Sequence, residues 1–309
     1  MADAIATENL CKQFGQFGAL KDLNLKIEPG ICVGYLGPNG AGKTTTIKIL
    51  TSLIRPTGGR AFLNGIDVVR NPKQALASVG AVVETPQLYP QLTPLEILSY
   101  FGQLRGLETH DIRERSTVVL EEVKMSDFAN KKTGEFSTGM KQRISIAQAL
   151  LHDPSILILD EPTGGLDPRG MIEVRELIKQ LKQRNFTIFM SSHLLNEVQE
   201  VCDKVAIIDK GALLAYDTVA NLSAIRGGVS LTAVEPITAG QCASVQALPN
   251  VTSVKRVDPS ELLMTVEGGL REQSDLLDQI RRIGIRVAFY KPAQPAIEDI
   301  YLRLVPEEV

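Results

Sequence analysis

The chain has 309 residues, and its 33 Lys and Arg residues against 36 Asp and Glu residues give a formal net charge of −3. A chain of this length can build a sizeable core, and we expect it to form two domains. The slightly negative balance argues against a broad nucleic-acid-binding surface. We therefore expect no nucleic acid partner.

Membrane and secretion signals are missing from the sequence. No apolar run approaches the ~20 residues that are needed to cross a bilayer. Residues 1–9 contain Asp3 and Glu8 and lack the apolar core of a signal peptide. If the protein works at a membrane, we expect another chain to span it. The cysteines follow no C-x-x-C spacing, which favours a reduced cytosolic setting without structural zinc; they are Cys11, Cys32, Cys202 and Cys242.

The first part of the chain is rich in strand signals. Residues 4–28 predict two antiparallel strands, because apolar residues alternate with polar ones near the end of this stretch. The apolar run 31–36 predicts a buried strand, and 45–50 predicts a helix. A hairpin at 60–65 and a short strand at 78–83 follow, and the latter ends at Glu84.

A helical insertion interrupts this pattern. Helical periodicity covers 94–105 and 111–124, and Thr93 and Glu96 are spaced as a capping box. A further helix runs from 136 to about 151. We therefore predict a helical subdomain at about 85–150.

Strands and helices alternate again after the insertion. The run 155–159 has the apolar composition of a strand that is buried on both faces. This alternation predicts a doubly wound parallel sheet. The predicted strands are 155–159, 186–190 and 204–208, and the predicted helices are 168–183 and 194–202.

The last part of the chain has a different character. Its order of strands and helices is a split βαβ pattern, which predicts a small ferredoxin-like α+β domain over 229–309. The predicted strands are 229–234, 251–257, 261–267 and 285–291, and the predicted helices are 238–247, 270–283 and a closing helix at 296–304.

One stretch carries the clearest chemistry. Residues 37–44 fit the pattern G-x-x-x-x-G-K-[ST] between a predicted strand and a predicted helix. Backbone N–H groups and the helix dipole favour an anion there, and the glycines permit positive φ and close approach to phosphate oxygens. We expect Lys43 to reach the β- and γ-phosphates and Thr44 to bind Mg²⁺. The expected nucleotide-binding residues are Gly37, Pro38, Asn39, Gly40, Ala41, Gly42, Lys43, Thr44 and Thr45.

Four other residues are candidates for the same site. Asp160 and Glu161 follow a buried strand, so Asp160 is expected to hold Mg²⁺ through water and Glu161 to polarise the attacking water. His193 also ends a predicted strand and either reaches the γ-phosphate or is a satisfied structural histidine. Phe14 is either a platform for a purine ring or a strand-end aromatic that fills the core.

In this order the motifs resemble the ATP-binding subunit of an ABC transporter over residues 1 to about 225. The family signature, usually Leu-Ser-Gly-Gly-Gln, is similar to residues 136–140, Phe-Ser-Thr-Gly-Met, which keep Ser137 and Gly139. Residues 156–161 resemble the Walker B strand, and 165–167, which end at Asp167, resemble the D-loop. The resemblance makes His193 the switch histidine and Phe14 the adenine-stacking aromatic.

The resemblance also implies a mechanism in which two chains share each ATP. The phosphate loop of one subunit would face Ser137, Gly139 and Met140 of another, with Asp167 crossing the interface. The pair would be a homodimer or a heterodimer with a paralogue. The helical insertion would bind a separate transmembrane permease, which implies a peripheral location at the cytoplasmic face of the cell membrane.

Glu84 departs from the family pattern, because the family usually has a glutamine there that contacts Mg²⁺ and the membrane partner. A carboxylate can still contact Mg²⁺ or accept from bound water, so we expect Glu84 to serve as a metal-site residue. The Glu-for-Gln pattern and the ending at 296–301 resemble the subgroup that exports drugs and peptide antibiotics. We expect export of a drug, peptide antibiotic or lipid-like substrate.

Other functions remain open at this point. A soluble ABC-type ATPase of DNA repair would carry a long coiled coil, and no heptad tract lies between 50 and 136. Translation-type relatives carry two nucleotide domains in one chain, whereas one is present here. A regulatory module that binds ATP without hydrolysis would not need the intact catalytic residues. An importer ATPase is a further alternative, although its usual accessory domain is a β-barrel.

Overall fold

The computed structural model describes residues 3–84, 87–224, 228–266 and 270–293. The chain divides into two compact units, Met1–Thr218 and Val219–Val309. The helices and strands of the first unit are β1 (Ile5–Phe14), β2 (Phe17–Ile27), β3 (Cys32–Leu36), α1 (Lys43–Leu50), β4 (Gly58–Leu63), β5 (Ile66–Asp67), α2 (Pro72–Ala75), β6 (Val79–Val82), α3 (Pro94–Leu104), α4 (Thr109–Glu122), α5 (Thr138–Leu150), β7 (Ile156–Leu159), α6 (Pro168–Gln183), β8 (Thr187–Ser192), α7 (Leu195–Val201), β9 (Lys204–Asp209) and β10 (Ala212–Thr218).

The first unit is organised around a six-stranded sheet with the order β10-β9-β3-β8-β7-β6. Its neighbouring strands pair in parallel except at β10, which runs antiparallel to β9. The predicted doubly wound parallel sheet is therefore confirmed. Strand β10 was missed by the sequence analysis, because its residues are half-buried at a sheet edge and show no clean alternation.

The antiparallel strands predicted at 4–28 form a sheet of their own. Its order is β2-β1-β4-β5, and all of its pairs are antiparallel. A single apolar core joins this sheet to the central one, and Tyr35 of β3 and Phe189 of β8 lie in it with ring centroids 5.1 Å apart. Burial of such large side chains is the main source of stability for this layered arrangement.

Two helices, α3 and α4, form the predicted helical insertion together with α5. The hydroxyl of Thr93 accepts a hydrogen bond from the backbone N–H of Glu96 at 3.3 Å, and the Glu96 carboxylate accepts from the N–H of Thr93 at 2.7 Å. The predicted capping box is therefore present. At Gly102 in α3, an added Cβ would lie 2.6 Å from the Ile112 side chain of α4, so this glycine permits close packing of the two helices.

The second unit contains the elements α8 (Val219–Ala224), β11 (Gly228–Ala233), α9 (Ala239–Gln246), β12 (Val251–Asp258), β13 (Glu261–Val266), α10 (Leu270–Arg282) and β14 (Val287–Ala293). Its antiparallel sheet has the order β12-β13-β11-β14, and its apolar core includes Leu231, Met264 and Ile280. This strand order is the ferredoxin-like arrangement that the sequence predicts. The predicted closing helix at 296–304 lies outside the described residues.

Across the described part of the chain, we find no helix with the length and apolarity of a membrane span.

The capping box gives a stability prediction for the insertion. Thr93→Ala leaves the N–H of Glu96 without its acceptor, so we expect the free energy of unfolding of the first unit to fall by about 1 kcal/mol. Thr93→Ser keeps the hydroxyl and should retain most of that stability. Urea unfolding followed by far-ultraviolet circular dichroism measures both, and an equal loss in the two variants would contradict the capping role.

Candidate functional site

The candidate site lies at one edge of the central sheet. Strands β3, β8, β7 and β6 are mutually parallel neighbours, so their carboxyl ends meet at that edge. Residues 37–44 follow β3, His193 follows β8, and Asp160 follows β7. Glu84 lies two residues beyond the end of β6. The topology therefore brings together segments that are widely separated in sequence.

The glycines of the loop meet different physical demands. Gly40 and Gly42 have φ values of 82° and 108°, in the region that other residues rarely adopt. Gly37 does not share this conformation, although glycine would permit it there. A Cβ on Gly37 would lie 2.3 Å from the carbonyl oxygen of Ile208, and close packing against β9 therefore explains this glycine.

Lys43 is the first residue of α1, and its ammonium group is largely buried in the loop. Its Nζ donates to the carbonyl oxygens of Gly37 at 2.7 Å and Pro38 at 3.1 Å. It also lies 3.6 Å from Oε1 of Glu161. Burial lowers the pKa of Lys43, and the neighbouring Glu161 carboxylate opposes that shift. The cation is thus held at the point where the loop and the acidic pair meet.

Asp160 is held by two hydroxyl groups from two different elements. Its Oδ1 accepts hydrogen bonds from Oγ1 of Thr44 at 3.3 Å and from Oγ of Ser191 at 2.6 Å. The first contact joins two of the three residues that the sequence assigns to Mg²⁺, and Glu84 is the third. Ser191 was not identified from the sequence, because a serine within an apolar strand carries no motif.

Glu161 and His193 form a second close pair. His193 Nδ1 lies 3.2 Å from Oε2 of Glu161, and both side chains are partly exposed. Glu161 has a φ of 44°, which is a strained conformation for a residue other than glycine. A carboxylate that faces a partly open cavity beside an imidazole can accept a proton from water.

Glu84 faces the same cavity, but its carboxylate forms an ion pair with Lys48 of α1. The cavity has a volume of about 470 Å³. Among the residues around it, Thr138 and Gln142 were not identified from the sequence as site residues. The cavity is lined by Thr44, Glu84, Thr138, Gln142, Asp160, Glu161, Gly164, Gly165 and His193.

The donor atoms around this cavity fit a magnesium ion. The Thr44 hydroxyl and the Asp160 carboxylate are hard oxygen ligands in mutual contact, and the Glu84 carboxylate lines the same space. No group of three or more His, Cys, Asp or Glu side chains suited to a metal occurs within the described ranges. A few protein oxygens are typical of a Mg²⁺ site that also uses water and substrate phosphates.

A second cavity of about 200 Å³ joins the loop to the β1–β2 hairpin. Phe14 is 50% exposed and lines this cavity, which argues against a core-filling role for its ring. Phe17, which pairs with Phe14 in the hairpin, is 62% exposed and was missed by the sequence analysis. The cavity is lined by Phe14, Phe17, Ala19, Pro38, Asn39, Gly40, Gly42, Lys43, Thr44, Thr45 and Glu161.

The signature residues lie at the N-terminus of α5, and Asp167 of the predicted D-loop lies at the N-terminus of α6. Ser137 caps α5 by accepting from the N–H of Met140 at 3.2 Å, and Asp167 caps α6 by accepting from the N–H of Gly170 at 3.2 Å. The helix ends approach closely, because a Cβ on Gly139 would lie 3.5 Å from Cα of Gly170. Ser137, Gly139, Met140 and Asp167 line neither of the two cavities described above.

The sequence of the chain is similar to those of known proteins. A family model described as ABC transporter matches residues 20–164. The chain is 45% identical to the bacitracin transport ATP-binding protein BcrA of Bacillus licheniformis over 69% of each chain. It is 33% identical to the linearmycin resistance ATP-binding protein LnrL of Bacillus subtilis over 97% of each chain. A daunorubicin resistance ATP-binding protein of Streptomyces coeruleorubidus is 32% identical over all of this chain and 98% of its own.

Solved structures of the same kind of protein are also similar to this chain. An ATP-binding subunit of an ABC transporter has 30% identity and a TM-score of 0.64, and the match covers 71% of this chain and 91% of that one. A cassette described as a dimeric post-hydrolysis state with ADP and Pi has 27% identity and a TM-score of 0.62, with coverage of 70% and 98%. The chain therefore belongs to the ATP-binding proteins of ABC transporters, and it is an ATPase of that family.

Proposed function

We propose that this chain drives the export of a drug, peptide antibiotic or lipid-like compound by hydrolysing ATP beside a separate transmembrane permease. The proposal rests on one observation above all. The linearmycin and daunorubicin resistance ATP-binding proteins match this chain over nearly its whole length. The match therefore includes the second unit as well as the nucleotide site. The protein would then work as a peripheral subunit at the cytoplasmic face of the cell membrane.

The two cavities divide the work of binding ATP. Stacking on the exposed Phe14 ring holds the base, while the backbone N–H groups of 37–44 bind the phosphates at the start of α1. Lys43 exchanges its contacts with the Gly37 and Pro38 carbonyls for phosphate oxygens. Thr44 and Asp160 would hold Mg²⁺, with Glu84 at the same cavity wall. When bound there, the ion would supply positive charge for the transferred phosphoryl group.

In this proposal, Glu161 and His193 carry out the hydrolysis of ATP. Glu161 accepts a proton from the attacking water. His193 lies 3.2 Å from the Glu161 carboxylate, so it orients this carboxylate and also reaches the γ-phosphate. Lys43 lies 3.6 Å from the other carboxylate oxygen and balances its charge. This arrangement positions an acceptor for the proton next to the site of phosphoryl transfer.

The other half of the site comes from a second subunit, either another copy or a paralogue. The N-terminus of α5 contacts the γ-phosphate of ATP that is bound to the partner chain, through Ser137, Gly139 and Met140. Asp167 lies beside them. Support for this role in trans comes from their place at two closely approaching helix N-termini, although Thr138 of the same stretch lines the larger cavity of this chain. Dimer closure around ATP would then move the helical insertion, which contacts the permease.

Two other functions can be distinguished from export by experiment. A soluble ABC-type ATPase of DNA repair or translation would need no membrane partner. An importer ATPase would have one, but the ferredoxin-like second unit differs from the β-barrel that usually accompanies importers. The names of the full-length relatives, which describe resistance to linearmycin and daunorubicin, favour export.

The proposal is tested by purifying the tagged chain from solubilised membranes and identifying what comes with it. We expect a protein with several membrane spans and no nucleotide motif. In inverted vesicles that contain the pair, uptake of daunorubicin, bacitracin or linearmycin should depend on ATP. Recovery with ribosomes or DNA instead, or ATP-driven transport in the opposite direction, would contradict export.

The proposed general base gives a sharper prediction. Glu161→Gln keeps the shape of the side chain but removes its capacity to accept a proton, so we expect steady-state ATPase to fall by about 100-fold or more. ATP binding should persist, and the dimer should accumulate in ATP during size-exclusion chromatography. Glu121→Gln, on the exposed face of α4, is the matched control. Near-wild-type turnover in Glu161→Gln would refute the role.

We expect Glu84 to affect the coupling of ATP hydrolysis to the permease more than the binding of ATP. Glu84→Gln removes the ion pair with Lys48, and exposed pairs of this kind contribute up to about 1 kcal/mol. We therefore expect permease-stimulated ATPase and transport to change by up to about fivefold, with ATP affinity nearly constant. Lys48→Met, which removes the same pair from the other side, should reproduce the effect. Unchanged coupling in Glu84→Gln and Glu84→Ala would show that Glu84 does not occupy the glutamine position.

A further inference from the structure

The last two residues of strand β8 send their hydroxyl groups to different partners. Ser191 donates to the Asp160 carboxylate, whereas Ser192 donates to the Glu197 carboxylate at 3.0 Å and accepts from the N–H of Leu194 at 2.9 Å. Successive side chains of a strand point to opposite faces, which explains the divergence. Ser191 therefore belongs to the acidic pair at the end of β7, and Ser192 belongs to helix α7.

Ser191 connects both members of that acidic pair. Its hydroxyl donates to Oδ1 of Asp160 at 2.6 Å, and its oxygen accepts from the backbone N–H of Glu161 at 2.9 Å. The residue is fully buried. One hydroxyl group thus holds the side chain of Asp160 and the main chain of Glu161 at the same time, and water cannot easily replace it in a buried position.

Glu161 needs such support because of its backbone. Its φ of 44° lies in the left-handed region, where a residue with a Cβ persists only when its surroundings hold it. The bond from its N–H to Ser191 holds one side of the residue, and the bond from the N–H of Gly164 to its carbonyl oxygen, at 2.9 Å, holds the other. These contacts set the direction in which the carboxylate leaves the strand.

We propose that Ser191 is a positioning residue for ATP hydrolysis, which aligns the Asp160 carboxylate for Mg²⁺ and the Glu161 carboxylate for the attacking water. The inference rests on the roles proposed above for these two acids. Ser191 itself contacts neither nucleotide nor water in this scheme. Because the Thr44 and Ser191 hydroxyls donate to the same oxygen of Asp160, loss of Ser191 leaves that carboxylate with one of its two supports.

The test compares Ser191→Ala with Thr187→Val in the full-length chain. Thr187 begins the same strand, is equally buried, and its hydroxyl accepts from the N–H of Gly30 at 2.9 Å, away from the site. Ser191→Ala should raise the Mg²⁺ concentration for half-maximal ATPase about tenfold and lower kcat about tenfold, since bonds to charged groups are the stronger ones. ATP affinity measured in EDTA should change less than about twofold. Thr187→Val should show none of these changes.

A direct readout of metal binding completes the experiment. Titration of Mn²⁺ into the nucleotide-bound protein, followed by paramagnetic resonance, should show weaker binding in Ser191→Ala and normal binding in Ser191→Thr, which keeps the hydroxyl. Equal behaviour of Ser191→Ala and Thr187→Val in the metal titration would overturn the proposal. If Ser191→Ala does not fold, Ser191→Cys takes its place, and an unchanged metal affinity there would overturn the proposal equally.

The outcome separates this inference from the function on which it rests. If Glu161→Gln abolishes turnover while Ser191→Ala behaves as wild type, the positioning role fails and the catalytic assignment survives. If Glu161→Gln retains turnover, the catalytic assignment itself fails.

Discussion

Parallel pairing of four strands is the constraint on which the site depends. Leu36 of β3 pairs with Ser192 of β8, and Leu159 of β7 pairs with Met190 of β8 and Val82 of β6. The residues that follow these strands therefore emerge side by side at one edge. A register shift of one residue in β7 would turn its side chains to the other face and separate Asp160 from Thr44. The catalytic geometry is thus a consequence of sheet register.

The unpaired N–H groups at the start of a helix are used in two ways in this chain. At α1 no side chain caps the N-terminus, and its first residues line the smaller cavity, whereas Ser137 and Asp167 cap α5 and α6. A phosphate at α5 would offer the N–H groups a stronger acceptor than the Ser137 hydroxyl. Such caps are compatible with the proposed role in trans, in which an anion held by a second chain would replace the side-chain acceptors.

Local patterns predicted the loop at 37–44 and the acidic pair, because each depends on residue types at fixed spacing. They did not reveal Ser191 or Phe17, since a serine in an apolar strand and an aromatic in a hairpin gain meaning only from the partners that the fold supplies. The ion pair of Glu84 with Lys48 joins residues 36 positions apart in a chain whose pairing must be known first. The fold class was predictable because strand and helix periods alternate clearly, while edge strand β10 lacks that signal.

The ion pair also suggests how occupancy of the nucleotide site reaches the helical insertion. Lys48 lies on α1, whose N-terminus is the proposed phosphate site, and Glu84 lies two residues beyond the end of β6. A glutamine at position 84 could accept a hydrogen bond from Lys48 but carries no negative charge for an ion pair. Because Glu84 is 61% exposed, solvent screens the pair, and it can bias the position of the segment without locking it. A weak electrostatic link of this kind would suit the proposed coupling role of Glu84, because little free energy would be lost if the contact broke during ATP hydrolysis.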